Sequence, residues 1–219
     1  AVTAAQIEVQ RYGVATTMLL GPSESLILAD DSADPRLLAA DLLNEAEHGP
    51  DSSSVLVTPS AALLEAAQVE VARQMDLLPE PRRAYAASSL GVNGGAVLTR
   101  SIEAATDVAN AYAPEHMQIA VRDEAAVLAR LFDAAEILVG QMTTVSAANF
   151  VIGCPASLPT SGFAKVSSGV TADTFRKRAA VAKADERALR RMAGTVLAFT
   201  DHEGFPAHGA AVTARLTAS

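Results

Sequence analysis

Short apolar runs, rich in leucine or β-branched residues, alternate along the chain with longer segments in which apolar residues recur every three or four positions. That alternation is the pattern of a parallel sheet covered by helices. The runs Met18 to Leu20, Ser25 to Ala29, Ser54 to Thr58, Ala96 to Thr99, Met117 to Val121 and Glu136 to Val139 read as strands, each bounded by Gly, Pro, Asp or Ser. Between them, Pro35 to Glu47, Ser60 to Asp76, Glu80 to Leu90, Ile102 to Ala111 and Glu124 to Ala134 carry the helical period. Asp34 ahead of Pro35, and Ser101 ahead of Ile102 with an acid close behind, are start signals, because a side-chain oxygen there satisfies free backbone N–H groups of the first turn. Gln141 to Gly169 is rich in Ser, Thr, Gly and Pro and has no sustained period, so it reads as a long functional loop. Lys183 to Ala198 and Pro206 to Leu216 are helical again, broken at Glu203-Gly204. The expected architecture is a doubly wound α/β domain with a mainly parallel sheet over residues 21–170, preceded by a helix and strand in 1–20 and followed by a helical tail, 171–219.

Composition narrows the partners. Half of the 219 residues are hydrophobic, which suits one full-sized core. The 25 acidic and 17 basic residues leave a net charge of −8, which repels phosphate backbones, so no nucleic-acid partner is expected. No window has the roughly 18 consecutive apolar residues of a membrane span, and the first ten residues lack a signal-peptide layout, so a cytoplasmic protein is expected. The lone Cys154 forbids an intrachain disulfide and reads either as a small buried side chain or as a nucleophile.

Each of the four histidines sits at a point of punctuation. Glu45 and His48, three apart on one helix, share a face, as in Glu-x-x-His metal pairs; His48 before Gly49-Pro50 equally fits a helix C-terminal cap. Glu115 and His116 follow Ala113-Pro114 just ahead of an apolar strand. Adjacent groups there can divide proton-transfer work, or simply form a turn. His208 falls in Glu203-Gly204-Phe205-Pro206-Ala207-His208, where a helix-surface residue is the plainer reading. Gly21-Pro22-Ser23-Glu24 is a turn whose carboxylate binds a polar group or caps the next element. Gly91-Val92-Asn93-Gly94-Gly95 lacks the Gly-x-Gly-x-x-Gly spacing of a dinucleotide site, and no Walker sequence, nucleophile elbow or Cys-x-x-Cys pair is present.

Taken in order, Gly21-Pro22-Ser23-Glu24, the run Asp41 to Pro50, Ala113-Pro114-Glu115-His116, Leu158-Pro159-Thr160-Ser161-Gly162 and Glu203-Gly204-x-x-x-His208 resemble the histidinol dehydrogenases. That family couples a zinc-bound substrate alcohol to NAD and oxidises it in two steps to a carboxylate. The resemblance implies that Glu115 and His116 are the catalytic acid/base pair. It implies that Glu45, His48, Asn149 and His208 stand at the metal-ligand positions, His208 reaching across a homodimer interface to make a composite site. Ser23, Glu24, Cys154, Ala156 and Glu203 fall at substrate-binding positions. The family carries Gln where this chain has Glu45 and Asp where it has Asn149, an exchange that preserves total ligand charge. Its Thr-Asn-His-Val segment is Cys154-Pro155-Ala156-Ser157 here. Family members are longer, and the additional part supplies most of the nicotinamide-binding domain; residues 1–20 resemble only that domain's last helix and strand.

These features favour an enzyme of this lineage performing non-redox proton transfer, such as a cyclisation, dehydration, hydration or isomerisation, on a polar small molecule. A zinc- and NAD-dependent alcohol or aldehyde dehydrogenase whose other half lies elsewhere is the alternative, and a silent dimeric scaffold is a third reading. Zinc or another divalent metal is the expected cofactor; NAD is not expected to bind this chain alone.

Overall fold

A computed structural model describes residues 2–217 and divides into two units, residues 1–175 and 176–219. In the first unit, α1 (Val2–Gln10) buries no residue and leads into an extended stretch. The run Met18 to Leu20 forms no strand, contrary to expectation. Both sides of β1 (Glu24–Ala29), the next strand in the chain, are taken by β2 (Ser53–Thr58) and β4 (His116–Ala120). β3 (Gly95–Leu98) and β5 (Glu136–Val139) close a five-stranded sheet of order β3-β2-β1-β4-β5 in which every pairing is parallel. The expected α/β doubly wound sheet is therefore present.

Helices cover both faces. α2 (Pro35–Ala46) and α3 (Ala61–Met75) lie over Ile27, Ala29, Leu56 and Ala120, contributing Leu38, Leu42, Leu63 and Ala67. α5 (Ile102–Tyr112) and α6 (Glu124–Leu128) cover the face built from Leu26, Leu28, Val55, Val57, Met117 and Ile119. Alternate residues of β1 thus serve opposite cores, which is why its sequence is a continuous apolar run rather than a polar/apolar alternation. The two caps read from the sequence are present, Asp34 accepting from Arg36 N and Ser101 from Ala104 N, and Ser60 adds another, accepting from Leu63 N. Leu28 is fully buried in the second core, so Leu28→Ala is expected to cost about 2–5 kcal/mol in urea unfolding, whereas exposed Leu77→Ala stays within about 0.5 kcal/mol.

Three elements differ from the periodicity. α6 stops at Leu128, not Ala134, because the Asn110 side chain donates to the Arg130 carbonyl and accepts from Phe132 N and Asp133 N, drawing the chain out of the helix. α4 (Arg82–Ser88) gives way to a wider π-type turn over Ser89–Asn93, where Gly94 lies so close to the Ser54 backbone that a Cβ would stand 2.2 Å from its carbonyl oxygen. The loop after β5 contains one short helical turn, α7 (Val145–Ala147), running into a π-type turn over Ala148–Ile152.

The second unit is a hairpin of α8 (Glu186–His202), capped by Asp185, and α9 (Pro206–Thr217). Gly204, at φ +70°, makes the break between them, and Gly209 packs against Thr200. No helix among the described residues is long and apolar enough to cross a membrane.

Candidate active site

Glu115 and His116 lie at the N-terminal edge of the sheet. α5 ends on Ala113, held in the left-handed region at φ +55°, and Pro114 then directs the chain into β4, whose first residue is His116. Met117 and Ile119 face the α5 side, so His116 and Gln118 face α2. Asp41 and Glu45, one turn apart on α2, present their carboxylates to that same strand. Gln118 Nε2 donates to Asp41 Oδ2 at 2.8 Å, and His116 Nδ1 lies 3.2 Å from Glu45 Oε2. Four residues of helix and two of strand both advance roughly 6–7 Å, so the two pairs form in register.

Around the imidazole gather Glu45 (0% exposed), Glu115 (8%) and Glu136 (6%), while His116 itself is 5% exposed. Glu115 Oε2 is 3.8 Å from His116 Nδ1 and accepts the backbone N–H of Glu24 at 3.1 Å. Glu24 Oε1 in turn accepts from Ser161 N at 2.6 Å. Three loops that bore sequence motifs are tied together in this way. Gly21 makes the approach possible, since a Cβ there would stand 2.7 Å from Thr160 Oγ1. Burial, reinforced by the neighbouring Glu45 and Glu24 charges, pushes Glu115 up to about 7, against the opposing pull of His116 and the Glu24 N–H. Burial alone would lower His116, but the hydrogen bond and charge of Glu45, with Glu115 and Glu136, outweigh it and raise the imidazole. Burial likewise raises Glu24 and Asp41.

These shifts make stability depend on pH. Glu115 is protonated in the native state up to about 7 but only to its ordinary 4.5 when unfolded, so the native state holds an extra proton between those values and stability falls as pH rises through them. His116, raised above its ordinary 6.5, acts with the same sign: its contribution is complete below 6.5 and is lost as pH passes its folded value. Thermal midpoints should fall from pH 5 to pH 8 by the equivalent of about 2 kcal/mol, and Glu115→Gln should flatten most of that slope.

His48 sits at the helix end as its capping reading expects, with Nδ1 3.0 Å from the Glu45 carbonyl oxygen, and the same nitrogen lies 3.7 Å from Glu45 Oε1. Asn149 stands in the π-type turn with its side-chain oxygen buried and without a hydrogen-bond partner. Ser23 is half-buried beside Glu24 and Ala156 is exposed. Cys154 is half-buried against Leu138, Val145 and Ala148, and the Glu136 carboxylate favours its S–H form, raising the thiol. Glu203 and His208 belong to the helical hairpin, where His208 stacks on Phe205 at 5.1 Å between ring centres.

Both oxygens of Glu45 and both ring nitrogens of His116 are buried, and beyond the 3.2 Å approach of Nδ1 to Oε2 none of these atoms has a hydrogen-bond partner among the described residues. Glu45, Glu115 and His116 offer ligand atoms within 4.8 Å of one another. Unsatisfied buried oxygens beside Glu115 suit a cation, so the donor set fits a divalent metal. A dinucleotide does not fit the usual crevice at the carboxyl ends of β1 and β4. Asp30 already takes the Arg122 and Ser32 backbone N–H groups there, and Asp31, Asp34 and Asp123 add negative charge beside it.

Sequence reasoning passed over Glu136, Asp41 and Gln118. The available signal was a glutamate opening the otherwise apolar run Glu136-Ile137-Leu138-Val139.

The family model for histidinol dehydrogenase matches residues 1–216. A histidinol dehydrogenase of a Synechocystis species is 42% identical over 93% of this chain and 49% of its own length, and one of Thermobifida fusca is 42% identical over 90% and 44%. The crystal structure of histidinol dehydrogenase from Elizabethkingia anophelis superposes with a TM-score of 0.95 at 34% identity, over 99% of this chain and 49% of that one. With its motifs, its sheet and these relatives in agreement, the chain belongs to the histidinol dehydrogenase family and spans about half the length of the relatives it matches.

Proposed function

We propose that this chain supplies the proton-transfer and metal-binding part of an alcohol-oxidising site of the histidinol dehydrogenase type, acting on a polar small molecule with a hydroxyl group. The observation that carries this reading is the buried His116 imidazole bracketed by carboxylates, with Glu115 raised to about 7 beside it. His116 takes the hydroxyl proton at a ring nitrogen. Glu115, shared between its acid and carboxylate forms near neutral pH, gives a proton to, or takes one from, a second position such as an attacking water. Glu24 and the Ser161 N–H fix the loops on either side and limit water access. Glu45 would hold a divalent metal, with Glu115, His48 and Asn149 as the other candidate donors in this unit. Such an ion, when bound, makes a coordinated hydroxyl more acidic. The hydride acceptor has no seat on these residues and requires a dinucleotide-binding surface outside the 219.

A second reading keeps the same pair for non-redox chemistry, a dehydration or cyclisation. It is favoured by the acid-filled β1/β4 crevice and by Cys154-Pro155-Ala156-Ser157 at a substrate position. The test is a chimera in which this chain replaces the matching half of the Synechocystis relative, assayed for NADH formation from histidinol. Oxidation lost on His116→Ala supports the first reading; a folded, metal-loaded chimera without oxidation supports the second. In either case His208 of a second copy completes the site, so sedimentation at low micromolar concentration should give a dimer that weakens when residues after Gly204 are removed.

A further inference from the structure

The two non-glycine residues with positive φ among the described residues, Ala113 and Ser161, both border the site. Ala113 closes α5 ahead of Pro114-Glu115-His116, a place where a left-handed residue commonly ends a helix. Ser161 closes no helix. With Gly162 it forms the centre of a tight turn, Ser161 at φ +58° and Gly162 at φ +76°, across which Phe163 N donates to the Thr160 carbonyl at 3.1 Å. Positive φ at both central residues is the pattern of a type I′ turn, which favours Gly, Asn or Asp because most other side chains crowd the backbone there. A serine in the first of these positions needs a hold from outside the turn. The Glu24 carboxylate supplies it: Oε1 accepts from Ser161 N at 2.6 Å, and the Gly162 N–H and the Tyr112 hydroxyl attract the same group.

We propose that Glu24 is a positioning residue whose carboxylate locks the Thr160–Phe163 turn in its left-handed form and so fixes the loop that faces substrate. Cys154-Pro155-Ala156-Ser157, the segment at a substrate position, runs directly into this turn through Leu158 and Thr160, which are 0% and 3% exposed. A turn held in one conformation sets where that segment ends, and a released one lets it wander. The backbone N–H of Glu24 meanwhile holds Glu115 Oε2 at 3.1 Å. One residue thus ties the loop through its side chain and the acid through its main chain, and truncating the side chain removes only the first tie. Glu24 acts on the substrate loop in this arrangement, and its carboxylate is taken up by that loop's N–H groups.

This role rests on the proposed function for what the loop faces, but the lock itself is read without turnover. Hydrogen exchange of the 219-residue chain, followed by NMR at neutral pH, reports the Phe163 amide, which closes the turn and does not touch Glu24. Glu24→Ala should speed that exchange by roughly tenfold, the usual worth of one lost hydrogen bond. Adding Ser161→Gly, which takes positive φ without a Cβ, should bring the rate back to within about threefold of the wild type. An unchanged rate in Glu24→Ala overturns the proposal, as does a double variant that exchanges as fast as Glu24→Ala. If the alanine variant does not fold, Glu24→Leu, which fills a similar volume without an acceptor, is read on the same criteria. In the chimera with the Synechocystis half, Glu24→Ala should raise KM for histidinol about tenfold and lower kcat less than about threefold, because the N–H at position 24 still holds Glu115. A fall in kcat at constant KM overturns the positioning role. A chimera inactive with Glu24 in place counts against the proposed function, and the exchange rates then decide the role of Glu24 alone.

Discussion

In the chimera with the Synechocystis half, His116→Ala is expected to lower turnover by roughly 10²–10⁴-fold, the usual contribution of a general base. The imidazole is buried, is raised by Glu45, and is within 4 Å of three carboxylates, so its loss removes the one nitrogen base of this cluster. Glu115→Gln should cost a comparable factor, because an amide keeps the Glu24 N–H contact but cannot exchange a proton. Glu115→Gln should keep its thermal midpoint or gain slightly, since it removes a desolvated carboxylate, whereas His116→Ala withdraws the cation shared by three carboxylates and should lower it, so its turnover is read well below its own midpoint. His202→Ala, at the exposed end of α8, is the matched control and should be silent. Full activity in both site variants, or loss only through unfolding, would leave Pro114-Glu115-His116 as a structural turn.

Glu45→Leu is expected to lower both stability and metal binding. Glu45 has no exposed surface and its carboxylate faces His116 Nδ1 at 3.2 Å, so an apolar side chain of similar volume removes one member of a buried ion pair and leaves the imidazole without its nearest carboxylate. In chelator, at a pH where the imidazole is charged, the variant should be less stable by up to about 3–5 kcal/mol, the usual cost of removing one partner of a buried pair. Zinc affinity, read by calorimetry and by elemental analysis after dialysis, should fall by more than the roughly 10–100-fold typical of losing an outer-shell partner. An unchanged or higher thermal midpoint without metal would mean that the Glu45–His116 contact does not hold the fold together. Unchanged zinc content would remove Glu45 from the ligand set.

Much of the scaffold was legible along the chain because local interactions decide it. Asp34 and Ser101 cap the helices that follow them, and the alternation of apolar runs with helical periods gives parallel strands between crossovers. Glu115 and His116 were legible as a pair because Pro114 and an apolar strand frame them within a few residues. Where local and long-range demands compete, the chain alone misleads. The helix after Asp123 is cut short by Asn110, on a different helix, and Met18 to Leu20 meets no free strand edge on β1.

By itself, the sequence determined most element types, their order and the adjacency of Glu115 and His116 at the start of a strand, since each depends on residues within about one turn or one strand of one another. The tertiary structure decided the environment of that pair. Glu45 comes from 71 positions before His116 and Glu136 from 20 positions after it, and only strand register and the packing of α2 on β4 bring both carboxylates to one ring. Desolvation and charge–charge coupling fall off within a few ångströms in space and are blind to separation along the chain, so the raised Glu115, the bracketed imidazole and the unsatisfied Glu45 oxygens exist only once the sheet has formed.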